Sequence, residues 1–351
     1  MMNEGLFLGI SGLFFFSLIA LGWRLLPGGR FQILASMPLR QTADGSWQGQ
    51  NLTWYGAITA TAVLLGIGYA AILAVAAGAT LPPMACALVL IAGIGLPASK
   101  IMARLVEKKR HTFTIGGAFF CGLVMTPLIL MAVDRGCDLL QISGLPVAMA
   151  LAAVAIGYVL GEGLGRLACI SFGCCYGKPL TQCNQVIAGL LRPWAFVFTA
   201  PTQKAVYEGG LNGEPLLPIQ GITSVVLTLT ALLGSALFLQ GRYRLAFVSC
   251  LVLSQGWRVY SEMLRADFRG FSRVTAYQKM AGAAVLYGCI LCLILPPSPQ
   301  GPMDIGRGLR LYTDPLVIVG LQLLWLLVFF VFGRSTVTGA RLWLFVRSNR
   351  I

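Results

Sequence analysis

Long apolar segments recur along the whole chain and restrict it to one class of fold. Nine segments approach the roughly 20 mostly apolar residues that an α-helix needs to cross a bilayer. They lie at approximately 5–23, 56–78, 82–103, 114–133, 144–164, 219–240, 245–264, 276–297 and 313–333. Charged residues make up 11% of the chain, against about 25% in soluble domains. The sequence therefore predicts an all-α, polytopic membrane protein with about nine transmembrane helices, organised as one integral membrane domain over residues 1–351.

The charged residues are strongly unbalanced in sign. Lysine and arginine number 26 against 12 aspartate and glutamate residues, which gives a formal net charge of +14. In a membrane chain this excess indicates topology and contact with anionic lipids. Since no dense basic patch with interleaved aromatic residues occurs, we expect no nucleic-acid partner. The first segment starts with an acidic residue and not a basic region, so we expect a retained helix and not a cleaved signal peptide.

Two longer polar stretches interrupt the apolar segments, and a further region follows the eighth segment. Residues 24–54 contain several glycines and two tryptophans that suit a membrane interface. Residues 178–218 contain several prolines, and we expect them to form an extramembrane loop. Residues 298–351 are predicted to add a last helix and a basic tail. Loops of this length are usually functional or disordered.

The positive-inside rule gives conflicting orientations for this chain. One basic cluster lies at residues 100–111, between the third and fourth apolar segments. Arg242 and Arg244 lie between the sixth and seventh segments. Three crossings separate these two loops, so they cannot share one side of the membrane. The charge pattern alone leaves the orientation open.

An unusual group of residues ends the fifth apolar segment. Residues 165–177 read GRLACISFGCCYG, with an arginine, three cysteines and three glycines. A permanent cation such as Arg166 near hydrocarbon marks a functional site by default. Glycines let a polar headgroup approach the backbone closely. The alternative is a basic anchor at a helix end, and Glu162, one turn earlier, is placed to pair with Arg166.

A second charged group ends the seventh segment. Arg258, Glu262 and Arg265 fall at i, i+4 and i+7, so they share one face of a helix. Two forked guanidinium donors suit a phosphate or a carboxylate. The alternative is a structural pair between Glu262 and a neighbouring arginine, with Arg265 reaching headgroups. At the start of the sixth segment, Gln220 is typical of a helix–helix hydrogen bond.

The ten cysteines invite a metal or redox interpretation. Most lie in apolar segments, where cysteine packs as a small hydrophobic residue. Cys169, Cys174, Cys175 and Cys183 lie closer together, but the paired C-x-x-C spacing of zinc sites is absent. A disulfide of Cys174 or Cys175 with Cys183 is therefore favoured over a metal site, and no metal or cofactor is expected. The single histidine, His111, lies in the basic loop and is more typical of a solvated residue than of a general base.

Five motifs in order resemble those of the bacterial prolipoprotein diacylglyceryl transferases. That family carries G-R-x-G-N-F-x-N-x-E-x-x-G at the outer end of a membrane helix, and Gly165, Arg166 and Gly177 match its frame at the same spacing. The family's asparagines fall on Cys169 and Phe172, its glutamate on Cys174 and its inner glycine on Ala168. The other matches are W-Y-G at 54–56, a histidine-less F-H-G-G at 114–117, a histidine-less H-P-x-Q at 217–220 and a complete R-x-x-x-E-x-x-R at 258–265.

The resemblance covers about residues 52–297 and implies a seven-helix transferase core, with the first and last helices added outside it. It implies transfer of a diacylglyceryl group from phosphatidylglycerol, or another anionic phospholipid, to a thiol of a prolipoprotein, with glycerol 1-phosphate leaving. It also implies a multi-pass protein of the bacterial cytoplasmic membrane whose active site faces the periplasm. Arg242 and Arg244 are then cytoplasmic, and the 100–111 cluster faces outward against the charge rule.

The same resemblance suggests roles for particular residues. Arg166 and Arg258 are expected to stabilise the departing phosphate, and Glu262 to orient an arginine, as the catalytic set. The expected substrate-binding residues are Tyr55, Gly116, Gly117, Gly165, Gly177, Gln220 and Arg265. Since the family histidine and motif glutamate are missing, the general base stays open, with Tyr55, Tyr176 and Glu262 as candidates.

Other functions remain open from the sequence alone. One is a transferase of the same fold with a different acceptor, such as a small thiol, an alcohol or another lipid. Another is a protein without enzymatic activity, either a transporter of lipids or anions or a thiol-based redox carrier of the membrane. Cys174, read as a nucleophile that holds the glyceryl group covalently, is the least favoured alternative.

Overall fold

The apolar segments form the long helices of the protein. A computed structural model describes residues 3–102, 115–267, 275–296, 298 and 301–351. In chain order the elements are α1 Glu4–Leu25, β1 Ile33–Gln41, β2 Trp47–Thr53, α2 Trp54–Ala76, α3 Leu81–Met102, α4 Ile115–Leu139, α5 Val147–Phe172, α6 Gln185–Leu191, β3 Phe196–Val197, α7 Lys204–Tyr207, β4 Pro215–Leu216, α8 Ile219–Leu239, α9 Tyr243–Met263, α10 Ala276–Ile294, α11 Ile305–Leu309, α12 Pro315–Gly333 and β5 Arg334–Leu342. The mostly helical fold is confirmed.

Each predicted span coincides with one of these helices, but the helices differ in apolar length. Within the described ranges, six are long and apolar enough to cross a membrane, namely α1, α2, α4, α5, α8 and α12. Helices α3 and α10 contain shorter apolar stretches, at Leu81–Ile94 and Gln278–Ile294. Helix α9 carries Arg244, Arg258 and Glu262. A polytopic membrane protein is therefore confirmed, and the count of nine spans stays a prediction.

Helix α5 lies at the centre of the bundle and contacts α1, α2, α4, α8 and α9. Its closest neighbour is α2, because glycines remove the side chains between the two backbones. A Cβ on Gly66 would overlap the carbonyl oxygen of Gly157 and lie 3.2 Å from the Cα of Gly161. Small residues permit this approach between membrane helices. The close contact fixes the depth and rotation of α5, which carries the motif arginine.

A small sheet that the sequence analysis missed covers part of one end of the bundle. Strands β1 and β2 form a hairpin within the polar stretch 24–54, and β5, from the basic tail, pairs with β2. Gly45 turns the hairpin at a φ of 80°. Hydrogen bonds from Thr42 and Ser46 lower the pKa of Asp44, in the same turn, to about 2. The loop and tail predicted from composition therefore contain ordered strands.

Most of the structure outside the long helices gathers at one end of the bundle, which we call the sheet end. Helix α2 starts at this end, since Tyr55 contacts Phe172, the last residue of α5. Helix α12 also ends there, since a Cβ on Gly56 would overlap the backbone of Gly333. Residues 178–218 pack on the same end around an apolar cluster that includes Phe196. Arg242 and Arg244 lie at the opposite end, where α8 joins α9.

The basic 100–111 cluster lies almost entirely outside the described residues, together with His111.

The glycine contact between α2 and α5 gives a direct test of the packing. We expect Gly66→Ala to lower the free energy of unfolding by about 1–3 kcal/mol, because the new methyl group forces two closely packed backbones apart. Thermal unfolding of the purified protein in detergent measures the change. Gly93→Ala is the control, since a Cβ at that position in α3 meets nothing within 4 Å. Equal destabilisation of the two variants would contradict the close helix contact.

Candidate functional site

The sequence after α5 turns back sharply because two residues adopt left-handed backbone conformations. Gly173 ends the helix at a φ of 68°, and the amide of Cys174 donates to the carbonyl oxygen of Cys169 at 3.1 Å. This is the Schellman arrangement that commonly closes helices. Cys175 follows at a φ of 56°, which is uncommon for a residue with a side chain. The turn holds the cysteines against the end of their own helix.

Hydrogen bonds tie this turn to the segment that follows α9. Gly177 and Arg265 form an isolated antiparallel bridge. The amide of Lys178 donates to Leu264 at 3.1 Å, and the amide of Ala266 donates to Tyr176 at 3.0 Å. A Cβ on Gly177 would overlap the carbonyl group of Leu217. Glycine at this position therefore lets three chain segments meet, and the bridge places Arg265 beside the end of α5.

A single carboxylate joins the two arginines that the sequence singled out. The Oε1 atom of Glu162 accepts hydrogen bonds from Arg166 at 2.7 Å and from Arg258 at 2.5 Å. Only 12% of each arginine side chain and 3% of the glutamate side chain are exposed. Arg258 also lies 5.5 Å from the ring centre of Phe119. The expected pair of Glu162 with Arg166 is present, and Arg258 of α9 completes a buried triad.

The other charged residues of the α9 motif make separate contacts. Arg265 binds Asp267 through two hydrogen bonds of 2.7 Å. Glu262 accepts a hydrogen bond from the hydroxyl of Thr275 at 2.5 Å, and Thr275 is the N-cap of α10. The structure thus brings Arg258 to Arg166 through Glu162, and it connects Glu262 to the start of α10.

A small cavity of about 10 Å³, partly open to the outside, lies beside Arg166. Its lining residues are Arg166, Cys175, Ile219, Gln220, Thr223, Ser261 and Arg265. The amide nitrogen of Gln220 donates to the carbonyl oxygen of Cys174 at 3.0 Å. Its Oε1 atom and the Nε atom of Arg166 are buried without a hydrogen-bond partner among the described residues. Buried polar atoms of this kind call for a ligand or water.

The remaining predicted binding residues lie at different distances from this cavity. Tyr55 contacts the Phe172 ring with centroids 5.9 Å apart, and its hydroxyl lies within electrostatic range of Arg166. Gly165 faces α2, where a Cβ would meet Ala62 at 3.9 Å. Gly116 and Gly117 lie in the first turn of α4. Tyr55 therefore belongs to the neighbourhood of the cavity, and Gly165 belongs to the contact between α2 and α5.

The structure contradicts the expected disulfide with Cys183. No disulfide joins any of the ten cysteines, all of which the structure describes. The Cys183 thiol donates to the carbonyl oxygen of Pro179 at 3.6 Å, within its own turn. The thiol sulfurs of Cys169, Cys174 and Cys175 instead lie within 4.8 Å of one another. The left-handed turn after α5 folds Cys174 and Cys175 back onto Cys169. The three cysteines are therefore close to one another and not to Cys183.

The protonation of this thiol cluster follows from its surroundings. Hydrogen bonds with the thiols of Cys169 and Cys175, together with burial, raise the pKa of Cys174 well above its ordinary value. Cys174 is therefore a neutral thiol at physiological pH in this arrangement. Cysteine spacing along the chain does not reveal this cluster, because the sequence signal for the contact is the glycine that ends the helix.

Comparison with protein families places the site in a known context. The family model described as prolipoprotein diacylglyceryl transferase matches residues 46–294, well over half of the chain. The matched range contains the arginine triad, the cavity and the thiol cluster, whereas α1, α11, α12 and β5 lie outside it. A search of curated proteins gives no match.

The buried triad predicts a large stability effect from a small change. We expect Glu162→Gln to lower the free energy of unfolding by about 3–5 kcal/mol, because it leaves two buried arginines facing each other without a counter-charge. Chemical unfolding in detergent measures the loss. Glu208→Gln is the matched control, since Glu208 is exposed and its pair with Lys204, at 3.5 Å, is worth at most about 1 kcal/mol. A wild-type unfolding curve for Glu162→Gln would contradict a structural role for the carboxylate.

Proposed function

The chain belongs to the prolipoprotein diacylglyceryl transferase family, and from this premise we propose that it transfers a diacylglyceryl group from phosphatidylglycerol, or another anionic phospholipid, to a thiol. The acceptor that we propose is the cysteine of a prolipoprotein. We also propose that the protein resides in the bacterial cytoplasmic membrane with its site toward the periplasm. This orientation is supported by Arg242 and Arg244, which lie at the end opposite the site and suit the cytoplasmic face.

The observation that carries this proposal is the set of cationic donors around the small cavity beside Arg166. Arg166 and Arg265 both line the cavity, and Arg166 has a buried Nε donor without a partner among the described residues. Arginine binds phosphate oxygens through its planar fork. Donors fixed where negative charge develops are among the largest contributions to catalysis. These donors therefore suit the phosphate of a lipid headgroup.

In the proposed reaction, these donors bind the leaving group. The acceptor sulfur forms a bond to the terminal glyceryl carbon as the carbon–oxygen bond to phosphate breaks. The electron pair leaves with the phosphate as glycerol 1-phosphate. We propose that Arg166 binds that phosphate directly and that Arg258, paired through Glu162, fixes the position of Arg166. Gln220 and Arg265 would contact headgroup oxygens, and the remaining predicted residues would shape the binding surface.

The acceptor must also lose its proton, because the thiolate is the nucleophile. Glu162 does not suit this task, since two arginines bind one of its oxygens and favour its ionised, weakly basic form. Tyr55, Tyr176 and Glu262 are the candidates that the sequence offered. Of these, the Glu262 carboxylate accepts a hydrogen bond from Thr275.

Purified protein with labelled phosphatidylglycerol and a lipobox peptide provides the test. We expect the wild type to form a thioether-linked product and Arg166→Lys to lower kcat by about 10²-fold or more, because lysine keeps the charge but loses the fork that meets the developing phosphate charge. Arg40→Lys, an exposed position on β1, is the control and should retain full activity. Wild-type turnover in Arg166→Lys, or no product from the wild type, would overturn the proposed reaction.

The acceptor is tested separately from the chemistry. We expect the chain to restore growth of cells depleted of their own transferase, since those cells depend on lipidated prolipoproteins. Arg166→Lys, expressed to the same level, should fail to do so. Product formation with small thiols in vitro, without restored growth in cells, would instead identify a transferase with a different acceptor.

A further inference from the structure

We propose that Cys169, Cys174 and Cys175 bind one Zn(II) ion through their three sulfurs and leave its fourth position open toward the cavity beside Arg166. In that position the metal would bind the acceptor thiol as a thiolate. The metal site stands on the geometry of the cysteines, and its role toward the acceptor rests on the proposed function.

The spacing of the sulfurs suits a single metal ion. The three atoms lie within 4.8 Å of one another. A tetrahedral ion with Zn–S bonds of about 2.3 Å holds its sulfur ligands about 3.8 Å apart. Closing the cluster onto an ion therefore needs side-chain shifts of no more than about an ångström. Thiolate sulfur is also a ligand that zinc prefers, and three protein ligands with one open position are typical of catalytic zinc sites.

The backbone around the cluster is already fixed in the shape that the site needs. Gly173 and Cys175 are both left-handed, at φ values of 68° and 56°. Such a conformation is uncommon for a residue with a side chain and is concentrated at functional sites. The Cys174 amide donates a hydrogen bond to the carbonyl oxygen of Cys169, and the Cys174 carbonyl oxygen accepts one from the side-chain amide of Gln220. Turn and helix therefore present three sulfurs to one point before any ligand is bound.

The neighbouring charges match a metal bound by three thiolates. Zn(II) with three thiolates carries one net negative charge. Arg166 and Arg258 share the single carboxylate of Glu162, which leaves the triad with one net positive charge. Arg166 lies within electrostatic range of Cys169 and Cys175. Buried charges are stable when they are paired, so the triad supplies the counter-charge that such a metal site requires.

The open position would face the space where the substrate is expected. Cys175 lines the cavity together with Arg166 and Gln220. An acceptor thiol that enters this space would release its proton to water on binding the metal, because coordinated thiols are deprotonated. The bound sulfur would then form its bond to the glyceryl carbon, and the electron pair of the broken carbon–oxygen bond would leave with the phosphate. No separate side-chain base is needed for this step.

Metal analysis of the intact, reduced protein in detergent tests the site. We expect about one zinc per chain in the wild type and a loss of most of that zinc in Cys174→Ser and Cys175→Ser. Cys183→Ser and Cys250→Ser are the matched controls and should keep the metal, because neither sulfur belongs to the cluster. Cobalt(II) added to the metal-free protein should give a sulfur-to-cobalt charge-transfer band in the wild type and not in Cys175→Ser.

The unfolding temperature shows whether each serine variant is folded, and a folded variant without metal supports the site. Two results would overturn it. One is a reduced, folded wild type that binds neither zinc nor cobalt. The other is equal metal content in the wild type and in both cluster variants. A disulfide between two of the three cysteines that persists in the purified protein, with no metal uptake after reduction, would replace the metal site with a redox pair.

The activity assay separates this inference from the proposed function. Removing the metal should lower glyceryl transfer at least tenfold, and zinc or cadmium should restore it. Full transfer by metal-free protein would overturn the metal's role and leave the transferase function standing. Stoichiometric metal without any transfer in the wild type would contradict the function and leave the metal site standing.

Discussion

The carboxylate of Glu162 is the contact on which the rest of the site depends. It binds Arg166 from its own helix and Arg258 from α9 with the same oxygen. Two guanidinium groups this close repel each other strongly in a medium of low dielectric constant, so the carboxylate is what permits the approach. Burying three charges costs several kcal/mol per ion, and apolar residues would join α5 to α9 at lower cost. An arrangement this expensive is better explained by the substrate it positions than by stability.

The helix packing brings this charge cluster to one end of the bundle. Because α2 and α5 run antiparallel in glycine-mediated contact, the start of α2 lies beside the end of α5. Helix α9 ends at the same level, which allows the backbone bridge between Gly177 and Arg265. Helix ends and turns therefore surround the arginines. The irregular backbone near them, with its polar groups, lies at the sheet end of the bundle. Under the proposed function, the headgroup and the acceptor peptide would both bind at this end.

The sequence predicted the helices and the arginines of the candidate site, but it did not predict the contacts between segments that are distant along the chain. Apolar length located every long helix, because the bilayer sets that length, although α5 continues to Phe172, beyond the predicted end at 164. The pair of Glu162 with Arg166 followed from i, i+4 spacing. The same spacing made Glu262 look like the partner of Arg258, and only the packing of α9 on α5 shows that Glu162 takes that place. The sheet was missed because β5 pairs with β2 from the far end of the chain.

The site contains two groups of residues with different chemistry, the arginines and the cysteines. In the family pattern, Cys169 and Cys174 occupy positions of an asparagine and a glutamate, while Gly165, Arg166 and Gly177 keep the frame. The turn that ends α5 brings these two thiols within 4.8 Å of each other and of Cys175. This group of thiols lies next to the arginines, which suit a departing phosphate. Transfer of the glyceryl group from phosphate to sulfur needs a group that activates the acceptor sulfur. In our proposal, a metal ion bound by the three cysteines beside Arg166 has this role.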